Sequence, residues 1–134
     1  MGKAFRMDLV IQPGDIDALS HVNNAVYLQW VQDVSAAHWF ELSTPDIRGQ
    51  YAWVVLRREI DYLKSAKWGD ELYALTWVGE TAGFKSVRFV NIFNKQNDLL
   101  VRASTTWCMI DTRQFKPARL TPEILAILDQ GRSN

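Results

Sequence analysis

Between Gly14 and Trp30 the chain gathers Asp15, Asp17, His21, Asn23 and Asn24 just ahead of an apolar run. This is the densest group of titratable and amide side chains in the sequence, and it falls where a strand hands over to a helix. The first amides of a helix have no partners within it and carry the positive end of its dipole. A carbonyl oxygen held at the amides of Asn23 and Asn24 would therefore be polarised, and an oxyanion developing on it stabilised. A carboxylate a few residues upstream, on Asp17, could attack that carbonyl or deprotonate a water that does. His21 could orient a substrate, position water or hold the asparagine side chains. These are the parts of an acyl-transfer hydrolase. The same residue types also build local structure, because Asp15 and Asp17 can close Asx turns while Asn23 or Asn24 caps the helix. Both readings stand at this point.

Other chemistries find less to work with. A divalent metal on Asp15, Asp17 and His21 would need further ligands, and no second His or Cys cluster supplies them, so no metal site is expected. The remaining histidine, His38, lies within the apolar run. The sequence holds no Gly-x-Ser-x-Gly elbow, no phosphate-cradling glycine loop and no dinucleotide fingerprint, and no cofactor is expected. Cys108, flanked by Trp107 and Met109, reads as a packed thiol; as the only cysteine it excludes an internal disulfide.

The elements that must position these residues are legible by period. Phe5, Met7, Leu9 and Ile11 alternate as a strand that Pro13 and Gly14 end. From Asn24 to Leu42 the spacing changes to three and four through Val26, Tyr27, Trp30, Val31, Val34 and Ala37, which predicts a helix roughly 28 Å long. Ala36, Trp39 and Phe40 widen its apolar surface, so it is expected to be largely enclosed. After a loop around Pro45 and Gly49, period two returns in a long second strand. Ala52, Val54, Leu56, Ile60 and Tyr62 are expected on its buried face, with Trp53 and Val55 exposed. Three more strands follow at Leu72 to Val78, Ser86 to Phe93 and Leu99 to Ile110, separated by "KWGDE", "GETAG" and "NKQND". Thr121, Pro122 and Glu123 open a short final helix. Four consecutive strands joined by tight turns predict an antiparallel meander curved around one helix, an α+β fold. The edge of such a sheet invites side-by-side pairing of two subunits.

With 134 residues, 48% of them apolar, and no linker or repeat, residues 1–134 read as one domain. Six tryptophans, six phenylalanines and four tyrosines are generous for this length, so either the core is bulky or some aromatics lie under a partner subunit, and a homo-oligomer is expected. Fifteen basic and fifteen acidic residues are interspersed, so no nucleic acid or membrane partner is expected. No apolar stretch near the start reaches signal-peptide or membrane-span length, and a cytoplasmic setting is expected.

Taken as a pattern, Asp15, Asp17, His21, Val22, Asn23, Asn24 and Tyr27 resemble the Asp-x-Asp-x-x-Gly-His-Val-Asn-Asn-x-x-Tyr loop of the hotdog-fold acyl-CoA thioesterases, in the branch of the 4-hydroxybenzoyl-CoA thioesterases. "YLKSAKWGDEL" and "NKQNDLLVRASTTWCMID" look like that family's second turn and its closing hairpin, ending at Asp111. The loop is also similar to that of plant acyl-carrier-protein thioesterases. The resemblance implies a five-stranded antiparallel sheet wrapped around one long central helix, with a short C-terminal helix, paired into homodimers or homotetramers with active sites at the dimer interface. It implies hydrolysis of an acyl-CoA or acyl-carrier-protein thioester to an acid and a thiol, in a setting such as fatty acid metabolism. Asp17 would be nucleophile or general base, the amide of Asn24 would polarise the carbonyl, and His21 would belong to the catalytic network.

Three positions depart from the family pattern. Ser20 replaces the glycine before the histidine, so positive φ is reached less cheaply and a different loop shape is expected. Gln32 stands where many relatives carry glutamate, and Leu19 where the plant enzymes carry asparagine, which places more of the chemistry on Asp17 or calls on Asp33 as a substitute. A coenzyme A moiety, present as part of the substrate, needs basic residues for its phosphates. Lys85, Ser86 and Arg88 are the first candidates, followed by Arg57, Arg58 and Lys64. Tyr27, Trp30 and Trp53 are compatible with an apolar acyl tunnel. Two other activities on such a fold are a non-catalytic acyl-thioester-binding protein and a hydratase or dehydratase.

Overall fold

A computed structural model of the chain describes residues 4–132. The period-two segments form strands β1 (Phe5–Leu9), β2 (Tyr51–Tyr62), β3 (Leu72–Ala82), β4 (Lys85–Asn94) and β5 (Leu99–Asp111). The segment with helical spacing is α1 (Asn24–Leu42), and the chain continues through α2 (Pro45–Gln50) to a final helix, α3 (Pro122–Gln130). The five strands make one antiparallel sheet in the order β1-β3-β4-β5-β2.

That order corrects the expected meander. Only β3, β4 and β5 follow one another as hairpins; β2 lies beyond β5 at one edge and β1 beyond β3 at the other. The segment 63–71 is therefore a crossover rather than a tight turn. It passes the start of α1, where the Ala66 N–H donates to the Tyr27 hydroxyl at 2.9 Å and the Ala66 carbonyl accepts from the Val22 N–H at 2.9 Å.

Tyr27, Trp30, Val31 and Val34 of α1 pack against Leu9, Leu72, Ala74, Val90, Ile92, Val101 and Ala103 of the sheet. Burying such residues contributes about 1.5–3 kcal/mol for each large aliphatic or aromatic side chain. The helix is covered on one side only: Gln29, Asp33, Ala36 and Phe40 stay exposed, with the Arg48 guanidinium 3.9 Å from the Phe40 ring centre. The expectation of a largely enclosed helix with Ala36 and Phe40 covered therefore fails, because a single sheet can cover a single face. A second cluster, with Ile47, Val78, Met109, Leu120, Ile124 and Leu128, seats α2 and α3 at the far end. The loop expected near Pro45 is helical, its start fixed by the Thr44 hydroxyl accepting from the Ile47 N–H at 3.2 Å.

A bulge changes the faces of β2. Register with β5 slips between Val55 and Arg57, so the residues paired opposite inward-facing Trp107, Thr105 and Ala103 are Val55, Arg58 and Ile60. Trp53, expected on the surface, is half-buried edge-on against Trp39 with ring centres 5.5 Å apart, whereas Val54 and Leu56 are exposed. Simple alternation had set the first half of the strand the other way round. Val55 remains exposed as expected.

Candidate active site at the amino end of the central helix

A small hairpin delivers the loop to α1. The Asn23 N–H donates to the Asp15 carbonyl at 2.9 Å, Ile16 and Val22 form a bridge, and the Asp17 N–H donates to the His21 carbonyl at 2.8 Å. Tyr27, inside the first turn, anchors the whole assembly to the crossover. Its phenol is buried, which raises its pKa, and the Ala66 N–H it accepts acts in the opposite direction.

Each polar residue of the loop now has a defined place. Asn23 is the N-cap, its Oδ1 accepting from the Ala25 N–H at 3.0 Å. Asn24 is the first residue of α1, and its N–H meets no acceptor among the described residues. Asp15 Oδ2 accepts from the Gln12 N–H at 2.8 Å and caps the short turn Pro13–Asp15. Asp17 Oδ1 accepts from the N–H groups of Leu19 at 2.9 Å and His21 at 3.2 Å. Its Oδ2 has no partner among the described residues, and the residue is exposed. His21 is exposed beside it, its backbone bridged to Lys67. The turn-forming reading therefore holds for Asp15, Asn23 and Asp17 Oδ1, and it leaves Asp17 Oδ2 unused.

Ser20 stands in the backbone conformation that glycine reaches most cheaply. Its φ is 65°, in the left-handed region. The conformational cost is on the order of 1–2 kcal/mol, and the Asp17 carboxylate and carbonyl brace the turn by holding the amides on either side and that of Ser20 itself.

The other expected site residues lie elsewhere. Lys85 is exposed at the start of β4, but Ser86 and Arg88 point into the molecule, so these three do not form one surface strip. They and Trp107, Trp53, Gln32, Ser35, Ala36, Trp39 and Leu128 belong to the other end of α1, where Ser86 and Arg88 help to line a cavity of about 200 Å³. Gln32 faces this cavity, whereas Asp33 is exposed and accepts from the Gln29 amide at 2.8 Å. Arg88 donates from Nη1 to His38 Nδ1 at 2.8 Å and to Thr76 Oγ1 at 3.1 Å. Burial pulls its pKa down to about 10, so it stays charged at neutral pH. Sequence spacing had shown the arginine but not its inward face; its position two residues after Ser86, on a strand covered by α1, was the available signal.

Among the described residues no cluster of three or more His, Cys, Asp or Glu is placed to hold a metal ion, and no helix is long and apolar enough to cross a membrane. Cys108 is buried, its thiol directed at the Met109 carbonyl.

The model of the acyl-ACP thioesterase N-terminal domain family matches residues 2–128. YneP of Bacillus subtilis, provisionally named an acyl-CoA thioesterase, is 26% identical over 116 residues, which cover 84% of this chain and 83% of YneP. Among solved structures, a Thermus thermophilus thioesterase crystallised with coenzyme A and zinc aligns with a TM-score of 0.83 at 22% identity, covering 96% of each chain. A 1,4-dihydroxy-2-naphthoyl-CoA thioesterase from Synechocystis aligns at 0.81 and 20% identity over 94% of this chain and 96% of that one. These last two likenesses establish the fold. The chain belongs to the acyl-ACP thioesterase N-terminal domain family: it is a thioester hydrolase built on the hotdog fold.

Proposed function

We propose that the enzyme cleaves acyl-CoA thioesters with Asp17 and the amino end of α1, in a site that two subunits complete. The observation that carries this reading is the pairing of a free Asp17 Oδ2 with an unengaged Asn24 amide on one braced hairpin. The thioester carbonyl accepts from the Asn24 N–H, where the helix dipole favours the charge that develops in the tetrahedral intermediate. Asp17 either attacks the carbonyl carbon, giving an acyl-aspartyl anhydride that water then hydrolyses, or deprotonates a water that attacks. In both the C–S bond breaks, the thiolate departs and the acid is released, with Asp17 returning to the carboxylate. His21, exposed beside Asp17, contacts the same substrate. YneP's name and the coenzyme A held by the Thermus protein favour coenzyme A as the carrier, and exposed Lys85 is the residue suited to its phosphates.

The edge of β2 supplies the second subunit. One edge of β2 pairs with β5; the other has no strand partner among the described residues, and Val54, Val55 and Leu56 of this strand are exposed. Two copies joined antiparallel along this edge would extend one sheet through a homodimer. Within a chain, Tyr27 at the start of α1 lies 6.0 Å from Tyr62 at the end of β2, while Trp39 near the end of α1 lies against Trp53 near the start of β2. Antiparallel pairing therefore sets the catalytic end of one subunit beside the cavity end of the other. The acyl group attacked at one subunit's Asp17 would enter its partner's cavity. The single cysteine, buried and unpaired, fits a reducing cytoplasm.

Subunit mixing tests this arrangement. D17N removes the carboxylate, and A36W fills the cavity from an exposed helix position. A mixture that exchanges subunits is expected to recover about a quarter of wild-type activity, because half the dimers are mixed and each has one intact site. No recovery above the separate variants would place Asp17 and its acyl pocket within one chain.

A further inference from the structure

Arg88 and Trp107 line the cavity at the far end of α1, Arg58 lies behind Trp107, and each carries at least one donor without an acceptor among the described residues. Arg88 is 6% exposed, and of its three guanidinium nitrogens only Nη1 reaches an acceptor among the described residues. The indole Nε1 of Trp107 is buried without a partner, and so is Nη2 of Arg58, whose Nε donates to Thr105 Oγ1 at 3.2 Å. These groups form a row rather than a scatter. Arg88 is in register with Thr105 and Thr105 with Arg58, which sets both guanidinium groups on the inner face of three adjacent strands, and Trp107 stands two residues along β5 on that face. The Arg58 guanidinium carbon lies 5.9 Å from the Trp107 ring centre.

No carboxylate answers them. Neither arginine has an ion-pair partner among the described residues; the ion pairs found there are all between exposed groups. A buried guanidinium without a counter-ion is costly, since it gives up hydration and gains no opposite charge. A buried indole N–H without an acceptor adds to that cost. Guanidinium and indole can only donate, so what completes this set must bring acceptors, and two inward arginines favour a negative charge.

We propose that the cavity receives the distal end of an acyl group carrying a second carboxylate, held by Arg88 and the Trp107 indole with the Arg58 charge behind them. The preferred substrate is then a thioester of a short dicarboxylic acid. At about 200 Å³ the cavity falls below the range of roughly 300–1,000 Å³ usual for drug-sized ligands, and a few carbons with a carboxylate suit it better than a long chain. Trp39 and Trp53 line the apolar wall along which those carbons lie. This inference rests on the acyl-thioester chemistry proposed above and names the acyl class that the chemistry acts on.

Two non-hydrolysable thioethers provide the test: S-(ω-carboxybutyl)-CoA and S-pentyl-CoA, of equal chain length, titrated calorimetrically into wild type, R88M and W107F. Hydrolysis of glutaryl-CoA and pentanoyl-CoA is followed in parallel. Wild type is expected to bind the carboxylated thioether at least about tenfold more tightly, as a charge-assisted hydrogen bond provides. It is expected to favour glutaryl-CoA in kcat/KM to a similar degree. R88M should lose the preference, and W107F, which keeps a ring in place, should reduce it. Equal or weaker binding of the carboxylated thioether, or an unchanged preference in R88M and W107F, would overturn the assignment. If pentanoyl-CoA is cleaved as well as glutaryl-CoA, this inference fails while the hydrolytic mechanism stands; if neither thioester is cleaved and neither thioether binds, both fail.

Discussion

Arg88 of β4 donates to His38 of α1 across 2.8 Å in the interior of the protein. Because guanidinium has no acceptor, the bond requires a neutral imidazole with its lone pair on Nδ1. Burial, and then the Arg88 charge, lower the His38 pKa to about 4. Phe5 stacks on the ring at 4.9 Å, so this one contact point ties the helix to both β1 and β4.

The consequence for stability has a definite sign. The unfolded histidine takes up a proton near pH 6.5 and the folded one near pH 4, so the unfolded state binds more protons between these values. Stability is fully present above pH 6.5 and falls as pH drops toward 4, by an amount on the order of 3 kcal/mol. Denaturant midpoints for wild type and H38N over this range measure it; H38N should show a shallower decline. An equal decline in both would assign the acid sensitivity to other groups.

Ser20 gives a second prediction. At φ 65° the serine bears a steric cost that glycine lacks, although glycine also gains freedom in the unfolded chain. Ser20→Gly is expected to stabilise the protein by about 0.5–1 kcal/mol, with little change in kcat. Thermal melts check this, and a lowered melting temperature would show that the serine side chain contributes more than its backbone costs.

The Tyr27 hydroxyl is the third. Removing it leaves the buried Ala66 N–H without an acceptor, a loss of about 1–3 kcal/mol. Tyr27→Phe should lower the melting temperature and also reduce kcat, because the same crossover holds Val22 in the catalytic hairpin. A full-strength enzyme with reduced stability would separate the crossover from the site.

The proposed interface supplies the fourth. A charge at the middle of the β2 edge, as in Val55→Lys, should convert dimers to monomers in light scattering and abolish turnover along with them. An active monomer would contradict the composite site.

Much of this was legible in the sequence because local chemistry decided it. Asn24 to Leu42 kept one helical period, and the cap, the open amide and the free aspartate oxygen all follow from residue types between Asp15 and Asn24. What escaped was long-range. Nothing in "KWGDE" distinguishes a turn from a crossover; that depends on which strand edge is vacant when β2 arrives. The bulge after Val55 inverted the expected faces of Trp53, Val54 and Leu56, since alternation cannot register one extra residue. The same limit hid the inward row of Arg88 and Arg58, which exists only once three strands are in register.

The proposed hydrolysis depends on Asp17, and D17N tests this directly. Asparagine keeps Oδ1 to accept from Leu19 and His21, so the hairpin is preserved while the charge is lost. Thiol release from a panel of acyl-CoA thioesters is to be followed for wild type and D17N at matched melting temperature. The wild type is expected to cleave at least one of them, and D17N to be slower on it by about a hundredfold or more. A folded D17N enzyme that releases thiol as fast as the wild type would contradict the central role given to this carboxylate.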